Sequence, residues 1–288
     1  MGFLWAFFIV VMIIVSIAAL TTVYIFAMSD RLPEVRPTTY LKMSHETSKK
    51  QPVVIFAGDS HTQGRIGVGF YDILRTMYQD SGIDFINAGV NGDFAWNLLQ
   101  RLDEIIFCNP DVVFILIGTN DALAQLSIGH IGIAQRRKHL PQKPTHDWFR
   151  AIYRELVLLF KEKTSAHIVL MTLPTIGEIL DSKEIQVSTD FSNTIEDISS
   201  ELGVDLLHIH QSMLRYLEEH PSHPISEPKD AIRAMVAGMV RHFVFQKSWD
   251  SVAEGKGQAL HVDHIHLNLL GARIVADAVD SYLSDSEL

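Results

Sequence analysis

The chain reads as an α/β protein, a three-layer α/β/α sandwich, preceded by an apolar helix able to cross a membrane. Three observations lead there. Short apolar runs alternate with segments of helical periodicity, the pattern of a parallel sheet covered by helices on both faces. The runs stop abruptly at Gly or Pro, where strands hand over to loops. Residues 2–28 contain no charged side chain.

The apolar start is dense in Phe, Ile, Val, Leu and Met. At about 1.5 Å per residue it spans the roughly 30 Å of a bilayer's hydrocarbon. A secretory signal would open with basic residues and hold an apolar core of only about 7–15 residues. Here neither Lys nor Arg precedes the run, and the run is longer. The segment is read as an uncleaved single-pass anchor, although Ala27-Met28-Ser29 also fits the small-x-small cleavage pattern. Arg31, Arg36, Lys42, Lys49 and Lys50 all follow the span, so the positive-inside rule leans toward a cytoplasmic domain. Residues 29–51 are polar, carry Pro33 and Pro37 and show no periodicity, which reads as a linker to a domain over 52–288.

Within that domain, 53–57 is the first strand, apolar throughout and therefore buried on both faces. It ends in Gly58-Asp59-Ser60. Phe70, Ile73, Leu74 and Met77 then recur at helical spacing, and 83–88 is the second strand. A helix is expected over 94–106, with Leu98, Leu99, Leu102, Ile105 and Ile106 on one stripe. The third strand is 112–117, closed by Gly118. A helix over 146–161 precedes the fourth strand, 168–173, which Pro174 stops. Another covers 191–202, with Gly203 as its C-cap. The fifth strand is 204–208, and the closing helix is 269–283, with Asn268 as N-cap. Residues 220–260 form a helical insertion. It opens with Pro221, Pro224 and Pro228, and Ile232, Met235, Val236, Met239, Val240 and Phe243 then make one apolar stripe.

Composition narrows the function classes. The 288 residues carry a formal net charge of −10 with no basic cluster, which argues against a nucleic-acid partner. The lone cysteine, Cys108, rules out an internal disulfide and a cysteine-rich zinc site. It precedes Asn-Pro and reads as a buried apolar residue.

Four stretches bear chemistry: Ser60 after the first strand, Asn87 to Asp93 after the second, Gly118-Thr119-Asn120-Asp121 after the third, and Asp263-His264-Ile265-His266 before the last helix. The first three leave the carboxyl ends of successive parallel strands, where such sheets bind ligands. A serine hydroxyl needs a base to become a nucleophile, and His266 can be that base. Asp263, three residues earlier, can hold the other imidazole nitrogen. The Ser60 amide, the Gly92 amide and the Asn120 side chain can donate to an oxyanion. Glycine at 92 suits a backbone that approaches a substrate closely.

These blocks resemble the SGNH hydrolase superfamily, the GDSL-type esterases and lipases. Gly58-Asp59-Ser60 with Thr62 and Gly64 is similar to its first block and Gly92 to the glycine of its second. Gly118-Thr119-Asn120-Asp121 is similar to the third block and Asp263-x-x-His266 to the fifth. The resemblance covers about 53–175 and 262 onward. It implies a flavodoxin-like sheet of five parallel strands. It also implies ester hydrolysis through an acyl-enzyme, with Ser60, Gly92, Asn120, Asp263 and His266 as the site and no metal or other cofactor. The substrate class would be a small-molecule, lipid or glycan ester. Two positions depart from the family pattern: His264 stands where Gly is common, and Leu267 where Pro is common. The absence of a Gly-x-Ser-x-Gly elbow separates the chain from the other α/β hydrolases.

Three rival readings stand beside this one. His261, Asp263, His264 and His266 are a ligand-rich cluster that suits zinc, but zinc would leave Gly-Asp-Ser and Gly-Thr-Asn-Asp unexplained. Acyl transfer to a sugar or lipid acceptor uses the same groups as hydrolysis. A membrane-anchored binding protein with a degenerate site would not need the complete set.

Overall fold

The computed structural model describes residues 2–44, 51–126 and 135–286. Its centre is a five-stranded sheet made of β1 (Val53–Gly58), β2 (Asp84–Gly89), β3 (Val112–Leu116), β4 (His167–Met171) and β5 (Asp205–Leu207), in the order β2-β1-β3-β4-β5. Every pairing is parallel. The strands are apolar because both faces are covered. Along β1, Val53, Ile55 and Ala57 enter one core and Val54 and Phe56 the other, following the two-residue period of a strand. The helices Ala95–Gln100, His146–Lys163 and Lys183–Leu202 pack on the first face. Phe70–Met77, Ile209–Glu219 and Leu269–Asp285 pack on the second.

The chain runs from β1 out to β2, then returns past β1 to β3. At that reversal the loops leaving β1, β2 and β3 diverge and open a crevice at the strand ends. The register Gly58↔Gly89 and Gly58↔Leu116 brings all three exits level.

Three of the expected elements take a different form. The helix expected over 94–106 is two, Ala95–Gln100 and Leu102–Ile106, broken at Arg101. Arg101 turns inward, where its guanidinium binds Asp93 at 2.8 Å and the Gly58 carbonyl at 3.0 Å. The helix expected over 191–202 begins at Lys183, where Ser182 caps the Ile185 amide. Its first turns carry few apolar residues, so periodicity alone hides them. The stretch expected as a linker docks on the domain over 30–44. It forms a helix, Pro37–Ser44, Val35 accepts from the Asn87 amide, and the Tyr40 hydroxyl binds Asp84. The rest of that stretch, 45–50 with Lys49 and Lys50, lies outside the described residues.

Gly2–Ser29 is one helix. Among the described residues it is the one helix long and apolar enough to cross a membrane, a test that a signal sequence also passes. Its side chains are mostly exposed until Ile25, which is buried. Ile25 packs with Ile66, Met239, Trp249, Val252 and Val262. The insertion supplies part of that cluster. It contains the helix Ala231–Met239, widened at its end over Val240–Val244, and the helix Trp249–Glu254.

Candidate active site

Ser60 opens a single helical turn, Ser60–Gln63, directly after β1. The Asp59 carboxylate accepts from the His61 amide at 3.0 Å, and Gly64, left-handed at φ 70°, closes the turn onto the Ser60 carbonyl. The turn lies against the end of β2. A Cβ on Gly89 would fall 2.2 Å from the Gln63 nitrogen, so only glycine lets the Ser60 turn sit this close to the sheet.

His266 Nε2 lies 3.0 Å from Ser60 Oγ, and His266 Nδ1 lies 2.8 Å from Asp263 Oδ2. Asp263 Oδ1 also accepts the amides of Ile265 and His266. Burial raises the Asp263 carboxyl, but the His266 charge and these hydrogen bonds outweigh burial and hold it down at about 2. An ionised Asp263 therefore fixes the ring so that Nε2 faces the serine.

Gly92 and Asn120 both face the cavity beside Ser60. Gly92 is left-handed at φ 74°, a conformation that glycine adopts without strain. Its loop is pinned by Lys138, whose Nζ donates to the Asn91 carbonyl at 2.5 Å and to Asp93 at 2.7 Å. Asn120 Nδ2 donates to the Asp93 carbonyl at 2.9 Å and, more weakly, to Asp59 at 3.4 Å. Burial lifts the Asp59 carboxyl to about 7 and the Asp121 carboxyl to about 8. Burial pushes the His61 imidazole down to about 3, and its neutral ring packs 5.8 Å from that of His266.

Behind the loop of Asp263 and His266 lies a wholly buried pair. Glu178 accepts from the amides of Ala259, Leu260 and His261 and from His261 Nδ1. His261 Nε2 donates to the Thr175 carbonyl at 2.8 Å. Both nitrogens of His261 are thereby engaged, as both of His266 are. Among the described residues no group of three or more His, Cys, Asp or Glu side chains is arranged to hold a metal. The zinc reading of His261, Asp263, His264 and His266 has no such arrangement behind it.

The profile of the GDSL-like lipase/acylhydrolase family matches residues 56–274. The chain belongs to that family. An acetylxylan esterase of Geobacillus stearothermophilus is 30% identical over 136 residues, covering 41% of this chain and 58% of that protein. The chain thus matches somewhat more than half of that relative's length. Among solved structures, an acetyl xylan esterase, AlAXEase, superposes with a TM-score of 0.58 at 23% identity, covering 80% of this chain and 99% of that one. The acetylxylan esterase Axe2 of Geobacillus stearothermophilus superposes with a TM-score of 0.57 at 20% identity, covering 82% and 95%. At these identities the likeness speaks for the fold.

In this GDSL-like chain the structure brings Ser60, Gly92, Asn120, Asp263 and His266 to one crevice. It also explains the departure at His264. That residue has φ 74°, a left-handed position that favours glycine. Its Nε2 bonds to Ser226 Oγ at 2.8 Å and its carbonyl accepts from Gly177, so the side chain ties the insertion to the loop of Asp263 and His266. Glu178, Lys138 and Arg101 escape sequence reasoning, because each acts on a residue far along the chain. His261 stands out in the sequence only as a metal ligand.

Proposed function

We propose that this chain is a membrane-anchored serine esterase that hydrolyses a carboxylic ester through an acyl-enzyme. The observation that carries the reading is the hydrogen-bonded relay from Ser60 through His266 to Asp263, opening on an apolar cavity of about 440 Å³. That size suits a small-molecule site. Ser60 Oγ attacks the ester carbonyl as His266 Nε2 takes its proton. The resulting oxyanion is held by the Ser60 and Gly92 amides and by Asn120 Nδ2. The tetrahedral intermediate collapses, and His266 returns the proton to the departing alcohol. Water then attacks the acyl-serine, giving its proton to His266, and Ser60 is regenerated as the acid leaves. That the chain's relatives are acetylxylan esterases supports an ester of acetyl or another small acyl group as the substrate class.

The anchor reading rests on the end of the apolar helix. Ile25 is packed in the domain's third apolar cluster, and Phe26 lines the cavity. Cleavage after Ser29, where the small-x-small pattern would place it, would remove both.

Labelling with a fluorophosphonate tests the mechanism. The expected result is a single adduct on Ser60, with labelling and ester hydrolysis both lost in Ser60→Ala while the fold is kept. Wild-type turnover by Ser60→Ala would end the proposal.

A further inference from the structure

The wall of the catalytic cavity is made partly by the apolar helix itself. Phe26, Ser29 and Asp30 line the same cavity as Ser60 and His266. This is no loose contact. Gln63, in the nucleophile turn, donates to the Arg31 carbonyl at 2.9 Å. Asn91, beside Gly92, donates to Asp30 at 3.0 Å, and Arg137 pairs with Asp30 at 2.5 Å. The helix end is thus bonded to the nucleophile turn and to the Gly92 loop.

The depth of this wall follows from length. A helix of 28 residues is about 42 Å long, against roughly 30 Å of hydrocarbon. Its last turns, with Phe26 and Ser29, stand at the headgroup level. The insertion contributes Ile232 and Val236 to the same cavity, each 39% exposed. Nearby on the insertion Phe245 is 66% and Val244 41% exposed. An apolar path therefore runs from the span, over Phe26 and the insertion helix, to Ser60. A soluble acetylated sugar needs no such path. An acyl chain leaving a bilayer does.

We infer that the end of the membrane helix is a part of the active site. Phe26 sets the acyl preference, and the substrate is an ester amphiphile drawn from the leaflet in which the same helix is anchored. This rests on the serine-esterase reading and goes beyond it by naming the source of the substrate and a residue that selects it.

The full chain is reconstituted into phosphatidylcholine vesicles, with 4-nitrophenyl palmitate either in the same vesicles or in separate ones. Hydrolysis is expected to be much faster when enzyme and ester share a bilayer, and equal rates would overturn the inference. In the same vesicles Phe26→Trp and Phe26→Ala are compared with wild type by the ratio of kcat/KM on 4-nitrophenyl palmitate to that on 4-nitrophenyl acetate. Trp narrows the cavity, and the loss of contact with about two methylenes lowers the ratio about tenfold. Ala changes it in the same direction by removing one wall. Ratios unchanged in both variants would overturn the role of Phe26. Fluorophosphonate labelling of Ser60 in every variant separates the two failures. If the wild type is not labelled, the esterase reading fails. If the variants are labelled but show no change in ratio, only this inference fails.

Discussion

Glu178 and His261 are 83 residues apart in sequence and meet side chain to side chain at 2.9 Å, both with no exposed side-chain surface. The pair lies under the loop that carries Asp263 and His266. Glu178 holds one ring nitrogen and the Thr175 carbonyl the other, so both nitrogens of the imidazole face acceptors. The loop's backbone is bound to the same carboxylate through three amides.

Removing the charge from that carboxylate is therefore expected to be costly. Breaking a buried pair by altering one partner costs about 3–5 kcal/mol, a fall in Tm of roughly 10 °C for a domain of this size. Glu178→Gln should show it in thermal unfolding. The pair also predicts an acid limit. Burial raises the Glu178 carboxyl, but its bond to His261, the His261 charge and the backbone amides outweigh burial and hold it at about 2, below its ordinary 4.5. A carboxyl held down by folding stabilises the protein above its unfolded value, and that stability drains as pH falls toward the folded value. Tm should hold steady down to about pH 5, then drop toward about pH 2, and Glu178→Gln should flatten that drop. A Gln variant melting within a few degrees of wild type would mean the pair does not hold the loop.

Asp121 carries the opposite sign. Burial raises it from 3.8 to about 8, and its Oδ1 has no hydrogen-bond partner among the described residues. A carboxyl raised by folding favours the folded state at low pH, and that contribution is lost as pH climbs from the unfolded value to the folded one. Asp121→Asn has no proton to lose. Its Tm relative to wild type should improve steadily from about pH 4 to about pH 8. A constant difference across that range would show that Asp121 is ionised throughout.

Asn120 is the side-chain donor of the proposed oxyanion hole. Loss of one such donor costs about 10²–10³ in kcat. Asn120→Ala should fall in that range with a small change in KM, measured on a soluble activated ester. A rise in KM at unchanged kcat would make Asn120 a binding group instead.

His264 separates backbone strain from side-chain bonding. A residue with a Cβ at φ 74° bears roughly 1–2 kcal/mol of strain, offset by about 1 kcal/mol from its bond to Ser226. His264→Gly loses the bond and the strain together. His264→Ala loses only the bond. The Gly variant should therefore melt at or slightly above wild type, and the Ala variant below both. An Ala variant as stable as Gly would mean the strain is absent.

The sequence by itself determined the parallel sheet, the serine turn after β1, the Asn120 turn after β3 and the Asp263-x-x-His266 spacing. Each depends on residues close together in the chain: apolar runs, turn formers and a three-residue interval that lets a carboxylate reach back to its own histidine. Where local signal was weak the reading missed structure. The polar first turns of Lys183–Leu202 and the docked stretch 30–44 show no apolar period, yet both are held by contacts from elsewhere. The tertiary structure alone decided that Glu178 underpins the loop of Asp263 and His266, that Lys138 and Arg101 brace the Gly92 loop through Asp93, and that Phe26 reaches the cavity of Ser60. The reason is physical. Periodicity records which face of an element is buried, whereas the partner of a charge or the wall of a cavity is chosen by whichever distant segment packs against it.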